Sequence, residues 1–213
     1  MTDCLKGKTL VALGDSLIYG NLLGNEATWP NKLGKKHGMI VYNHGINGNT
    51  VAWVAQGGSK KPMCERYVEM EDGADYVVVL GGANDHRLNV PIGADSDETA
   101  STFKGALNLL IKGLTAKYPR AKFLFLTNYH RKNSLNDLGL DEAAYVDAMK
   151  TICAKWSLPC FDNYRNSGLS LLNPARAAWA DEGMVLDGKP NRHFSEEAYD
   201  WLLPLYESLL AGL

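Results

Sequence analysis

The chain has 213 residues, of which 46% are hydrophobic and 22% are charged, and its formal net charge is −2. This length and composition predict one globular domain over residues 1–213 with a substantial buried core. A chain with no surplus of basic residues cannot neutralise many phosphates, so no nucleic-acid partner is expected. No apolar run reaches the roughly 18 residues that a membrane-spanning helix needs, so no membrane span is expected either.

The amino-terminal segment, MTDCLKGKTLVAL, does not predict a secretory signal, because Gly14 and Asp15 end its apolar stretch after a few residues. A cytoplasmic location is therefore expected, although a signal already removed would leave the same sequence. The cysteines show no C-x-x-C spacing, and we interpret all of them as reduced, structural residues. They are Cys4, Cys64, Cys153 and Cys160.

Strands and helices alternate along the chain. Short apolar runs that end in glycine or polar residues predict strands at Lys8–Leu13, Val41–Asn43, Ala74–Gly82, Ala121–Asn128 and Leu158–Asp162. Amphipathic spacing predicts helices at Trp29–His37, Cys64–Met70, Ser101–Tyr118, Asp141–Lys155 and Ser195–Leu210. This alternation predicts a three-layer α/β/α fold with a doubly wound, flavodoxin-like parallel sheet of about five strands.

Three connections are longer than this fold requires, and long loops at the carboxyl ends of strands often contact substrate. They run over His86–Ala100, Tyr129–Leu140 and Asn163–Arg192.

Ser16 lies just beyond the first predicted strand, in the segment GDSLIYG. A residue at the carboxyl end of a first strand lies in the usual binding crevice of an open α/β sheet, close to the N–H groups of the next helix. This position suits a nucleophile, but, taken alone, a serine there is more typical of a helix cap. The G-x-S-x-G elbow, the P-loop and the dinucleotide-binding G-x-G-x-x-G motif are all absent from the sequence.

Four segments together are similar to one known family. GDSLIYG, NHGINGNT, GGAND and DGKPNRHFS follow one another in this order, with predicted strands and helices between them. In this combination the chain resembles the GDSL or SGNH hydrolases, a family of serine esterases and acylhydrolases, over nearly its whole length. The resemblance implies an acyl-enzyme mechanism that requires no metal and no cofactor.

The resemblance assigns roles to individual residues. Ser16 matches the nucleophile, and His193 matches the general base. Gly48, through its backbone N–H, and Asn84, through its side-chain amide, match an oxyanion hole that the N–H of Ser16 completes. Asp187 matches the carboxylate that orients the base.

The match is weakest at Asp187. The family usually has a D-x-x-H spacing, whereas five residues, 188–192, separate Asp187 from His193 here. Asp181, Glu182 or a backbone carbonyl could orient His193 instead. We predict Asp187 because a short insertion can loop out and leave the carboxylate beside the ring.

Several residues near the predicted strand ends are candidates for substrate binding. Trp53 follows the Gly48 loop, while Arg87 and His130 follow the third and fourth strands, where solvated loop positions are an equal alternative. The expected partner is a small ester with a short acyl chain, such as an acetylated carbohydrate. A lysophospholipase or thioesterase, and a carbohydrate-binding module that has lost its chemistry, are the alternatives. The sequence does not define the oligomeric state.

Overall fold

A computed structural model describes residues 3–55, 61–130, 134–170, 172–177, 179, 185–186, 189–190 and 193–213. Within them, five strands form one sheet: β1 Thr9–Gly14, β2 Ile40–Gly45, β3 Tyr76–Gly81, β4 Lys122–Thr127 and β5 Cys160–Phe161. Every pair is parallel, and the strand order is β2-β1-β3-β4-β5. This is the flavodoxin-like order, so the predicted doubly wound sheet is confirmed.

Helices cover both faces of the sheet. They are α1 Ser16–Tyr19, α2 Trp29–His37, α3 Met63–Arg66, α4 Ala83–Arg87, α5 Phe103–Lys117, α6 Glu142–Lys155, α7 Asn163–Asn166, α8 Pro174–Ala177 and α9 Glu196–Ala211. The helix predicted at Cys64–Met70 is instead α3 followed by a 3-10 turn at Tyr67–Glu69. The helices of four or five residues were not predicted, because they are too short to show a 3.6-residue period.

A small antiparallel pair lies just before the last helix, formed by β6 Val185–Leu186 and β7 Lys189–Pro190. No helix in the described part of the chain is long and apolar enough to cross a membrane.

The central strands β1, β3 and β4 are buried on both faces, which is why they appear in the sequence as nearly continuous apolar runs, whereas the edge strand β2 is only partly buried. In β1, Val11 and Leu13 belong to the apolar cluster that includes α5 and α6. The alternate residues Leu10 and Ala12 belong to the cluster on the other face, which includes α2 and α9. The sheet is thereby enclosed in a three-layer core.

The carboxyl ends of β2, β1 and β3 lie side by side, since Gly14 of β1 is in register with Gly45 of β2 and Leu80 of β3. Helix α1 crosses this edge at close range. A Cβ atom added to Gly45 would lie 2.0 Å from the backbone nitrogen of Tyr19, so any larger residue would displace α1. The segments that follow these three strands therefore meet in one place.

Candidate active site

Ser16 lies on a tightly held turn. The side chain of Asp15 is buried and caps α1, its Oδ1 accepting a hydrogen bond from the N–H of Leu17 at 2.9 Å. Gly20 ends the helix in the left-handed conformation, with φ of 78°. Ser16 is thus the first residue of α1, directly at the carboxyl edge of β1, and its position is defined at both ends of the helix.

His193 reaches this turn from the far end of the sequence. Its Nε2 lies 2.8 Å from Oγ of Ser16, within hydrogen-bond distance. Two residues later, Ser195 caps α9 through a hydrogen bond to the N–H of Ala198. The hydroxyl of Tyr199 in α9 donates to the carbonyl oxygen of Leu17 at 2.8 Å, so the helix that follows His193 is attached to the helix that carries Ser16.

Asn84, in α4, links the segments that follow β1 and β2. Its Nδ2 donates to the carbonyl oxygen of Asn49 at 3.0 Å and makes a longer contact, 3.5 Å, with Oδ2 of Asp15. Gly48 directly precedes Asn49 and has φ of +74°, and a Cβ atom added there would meet nothing within 4 Å. The backbone of Gly48 is therefore open to a close approach by another molecule.

A buried arginine, Arg66, binds the ends of two strands and the loop that carries Gly48. Arg66 is only 5% exposed, and its guanidinium donates to Oδ1 of Asn49 at 2.6 Å and to the carbonyl oxygens of Gly14 and His44 at 2.8 and 2.6 Å. Burial lowers the pKa of Arg66 to about 10, and the nearby carboxylates of Glu69 and Asp15 oppose this shift, so the group stays charged at neutral pH. One side chain thus joins the ends of β1 and β2 to the loop that carries Gly48.

Asp85, the residue after Asn84, binds the backbone of a neighbouring loop. It is fully buried, and its carboxylate accepts hydrogen bonds from the backbone N–H groups of Val51 and Ala52 at 3.0 and 2.9 Å. Burial raises the pKa of Asp85 to about 7, although these two donors act in the opposite direction. The contact joins α4 to the loop that follows β2.

Two predicted substrate-binding residues, Trp53 and Arg87, line one groove of about 730 Å³. Trp53 is 52% exposed, and the groove also presents the polar residues Asn89 and Ser101. Nε and Nη2 of Arg87 each lie 3.3 Å from Oδ1 of Asn84, so the groove adjoins the candidate oxyanion-hole residue.

The structure places His130 elsewhere. Its Nδ1 lies 2.9 Å from Oγ of Ser170, its ring packs edge-on against Tyr164, and it is not among the residues that line the groove. Asp187 and its alternatives, Asp181 and Glu182, lie outside the described residues, so the third member of the site stays a prediction.

Sequence reasoning missed three residues that make contacts within this site: Arg66, Tyr199, and Asn21, whose Nδ2 lies 3.1 Å from Nδ1 of His193. Arg66 falls within a predicted amphipathic helix, where an arginine is normally solvated. Tyr199 lies in the predicted final helix, but its hydroxyl acts on a residue 182 positions away. The one available signal was Asn21, which directly follows the GDSLIYG segment.

A family model for GDSL-like lipases and acylhydrolases matches residues 12–201, which is most of the chain. The fold and this match define the class of protein, an esterase or acylhydrolase. The chain belongs to the GDSL-like lipase/acylhydrolase family.

Solved structures share the fold of this chain. One crystal structure has 33% sequence identity and a TM-score of 0.87 and covers 98% of both chains. A protein from Lactobacillus plantarum is 26% identical with a TM-score of 0.83, over 97% of this chain and 98% of that one. A carbohydrate acetylesterase family member from Sinorhizobium meliloti shares the fold at 18% identity, with a TM-score of 0.60 over 97% of this chain and 100% of that one. A search of curated proteins found no match.

Proposed function

We propose that this chain is a serine esterase that hydrolyses small, short-chain acyl esters, including acetyl esters of carbohydrates, through an acyl-enzyme. The observation that carries the proposal is the 2.8 Å contact between Nε2 of His193 and Oγ of Ser16 at the carboxyl edge of the sheet. A serine hydroxyl attacks an ester slowly unless a neutral imidazole within hydrogen-bond distance removes its proton.

In the first half-reaction, Oγ of Ser16 forms a bond to the acyl carbon while His193 takes the hydroxyl proton. The resulting imidazolium returns this proton to the leaving alkoxide as the ester bond breaks, and the acyl group stays on Ser16. In the second half-reaction His193 removes a proton from water as the water oxygen bonds to the acyl carbon; the bond from this carbon to Oγ of Ser16 then breaks, the imidazolium returns its proton to Oγ, and the acid leaves. Asp187 is proposed to orient His193 during both steps.

The negative charge that develops on the carbonyl oxygen needs fixed donors. We assign this role to the N–H groups of Ser16 and Gly48 and to Nδ2 of Asn84, each worth about 3–4 kcal/mol in comparable enzymes. Nδ2 of Asn84 donates to the carbonyl oxygen of Asn49 at 3.0 Å. Its contact with Asp15 is long, 3.5 Å, so a shorter hydrogen bond to an oxyanion can replace it.

The groove beside Asn84 supports a small polar alcohol group as the other half of the substrate. An exposed indole such as that of Trp53 offers an apolar face, and Arg87 together with Asn89 and Ser101 offers hydrogen-bonding groups around it. This combination of aromatic surface and polar groups fits a sugar ring. The structural neighbour from Sinorhizobium meliloti, described as a carbohydrate acetylesterase family member, agrees with this choice at the level of the fold.

The test is Ser16→Ala, with Ser208→Ala, an exposed position in α9, as the matched control. Ser16→Ala should lower hydrolysis of p-nitrophenyl acetate at least about a thousandfold. Its thermal midpoint should stay within about 2 °C of the wild type. A fluorophosphonate should label Ser16 in the wild type and in the control, as peptide mass spectrometry would show.

Substrate choice is tested with p-nitrophenyl esters of increasing acyl length and with acetylated sugars. The highest kcat/KM should occur at acetyl or propionyl esters and fall for long chains. A maximum at long chains would replace this proposal with a lysophospholipase or thioesterase. Wild-type activity in Ser16→Ala would remove Ser16 as the nucleophile, and an unlabelled, inactive wild type would favour a binding module.

A further inference from the structure

The side of His193 that faces away from Ser16 contacts an amide side chain. Nδ2 of Asn21 lies 3.1 Å from Nδ1 of the ring. Oδ1 of Asn21 in turn accepts a hydrogen bond from Nδ2 of Asn47 at 2.8 Å. Both ring nitrogens of His193 thus have a partner from the GDSLIYGN segment: Ser16 on Nε2 and Asn21 on Nδ1.

The backbone fixes Asn21 relative to the nucleophile. Its N–H donates to the carbonyl oxygen of Ser16 at 3.1 Å, just after the left-handed residue Gly20. A Cβ atom at Gly20 would lie 2.4 Å from the carbonyl oxygen of Gly24, so this turn requires glycine. Asn47 directly precedes Gly48. The Asn21 side chain is therefore held by the nucleophile's turn and by the loop that carries a candidate oxyanion-hole residue.

We propose that Asn21 is a positioning residue for His193, which holds the Nδ1 edge of the ring so that Nε2 stays on Oγ of Ser16. This inference rests on the proposed function, since His193 is useful as a base only in that position. A base that accepts a proton at Nε2 carries its own proton on Nδ1. As it stands, Nδ2 of Asn21 faces Nδ1 and can donate to its unprotonated form. To accept from a protonated Nδ1, the amide must present its oxygen instead, and the amide of Asn47 that is bonded to it must turn as well.

An uncharged amide is suited to this position for a second reason. It restricts the motion of the ring without adding negative charge. The basicity of the imidazole then depends on the other groups around it. A carboxylate at the same place would stabilise the imidazolium and keep the base protonated up to a higher pH. Substitution of Asn21 by aspartate therefore separates positioning from charge.

The test compares Asn21→Ala and Asn21→Asp, with Asn25→Ala as the matched control. Asn25 is exposed and uses its backbone carbonyl, which the substitution keeps, to accept from Thr28. Asn21→Ala should lower kcat about tenfold, the usual value of one hydrogen bond, with KM within about twofold of the wild type. Asn21→Asp should restore most of kcat at high pH and move the acid limb of kcat/KM upward by about one pH unit.

A purely structural role would not move the pH profile. Unchanged kcat in Asn21→Ala, or an unmoved acid limb in a folded Asn21→Asp, would overturn the proposal. The ring protons of His193 followed by NMR give a readout that needs no activity, and their titration should also move upward in Asn21→Asp. If Ser16→Ala retains activity, the assignment of Ser16 as the nucleophile fails, but this titration still decides whether Asn21 acts on the ring.

Discussion

Substitution of Arg66 tests whether this side chain holds the carboxyl ends of β1 and β2 together. Arg66→Met keeps most of the buried apolar volume and removes three hydrogen bonds of a charged donor, at 2.6, 2.8 and 2.6 Å. Such bonds are worth about 1.5–3 kcal/mol each. Burial, which lowers the pKa of Arg66 from 12.5 to about 10, corresponds to a penalty of about 3 kcal/mol on the charged form, and the substitution recovers it. Three such bonds sum to about 4.5–9 kcal/mol, so the net expectation is a loss of about 1.5–6 kcal/mol in the free energy of unfolding.

The assay is urea unfolding of both proteins at neutral pH, followed by circular dichroism, with the slope of the transition unchanged. Lys112→Met is the matched control, because Lys112 forms an exposed ion pair with Glu98 and should lose less than about 1 kcal/mol. Arg66→Lys should be nearly as damaging as Arg66→Met, since an ammonium group cannot reproduce the planar donor geometry of a guanidinium. A loss below about 1 kcal/mol in Arg66→Met would refute the reasoning that this side chain holds the edge together.

Three further predictions concern other parts of the site. The pKa of Asp85 is raised to about 7, so the folded state favours the protonated form of this group. The contribution of Asp85 to stability is therefore full below about pH 4 and is lost as the pH rises to about 7. Relative to Asp85→Asn, which cannot titrate, the wild type should therefore lose up to about 4 kcal/mol between pH 4 and pH 8 in chemical unfolding, and a constant difference would contradict this. Trp53→Ala should raise KM for acetylated sugars several-fold with little change in kcat for p-nitrophenyl acetate, and equal effects on both substrates would argue against a sugar subsite. Asp187→Asn should cost far more kcat than Asp181→Asn, and the reverse order would reassign the carboxylate that orients the base.

The fold could be predicted because its signals are local. The fully apolar strand Tyr76–Gly81 and the amphipathic helix Phe103–Lys117 each carry enough residues to show their period, so their predicted ends differ by only two residues or fewer. Helix α1 carries no such period over four residues. It forms because Asp15 caps it and because the glycines beside it allow close contact with the strand ends.

The candidate site was predictable in part, for a different physical reason. Glycine and asparagine shortly after a strand are also ordinary turn residues, so Gly48 and Asn84 could be selected only through the resemblance of their segments to a known family. The burial of Arg66 could not be predicted, because a buried arginine is favourable only when acceptors from distant segments surround it. His130 illustrates the converse, since a position just after a strand does not decide whether a side chain turns toward the groove or toward Ser170.

The contacts around the site fall into two sets that meet at Ser16. One set, built on Arg66 and Asp85, joins the segments at the ends of neighbouring strands and holds the amide of Asn84, the proposed oxyanion-hole donor. The other set, built on Tyr199 and Asn21, attaches the carboxyl-terminal segment to helix α1 and holds the histidine ring. The first set lies within the packed sheet edge and consists mainly of bonds to backbone atoms, whereas the second includes a contact between partly exposed side chains. We therefore expect the orientation of the His193 ring to be easier to change than the arrangement of the strand ends. A substitution of Asn21 can alter the orientation of this ring without disturbing the sheet.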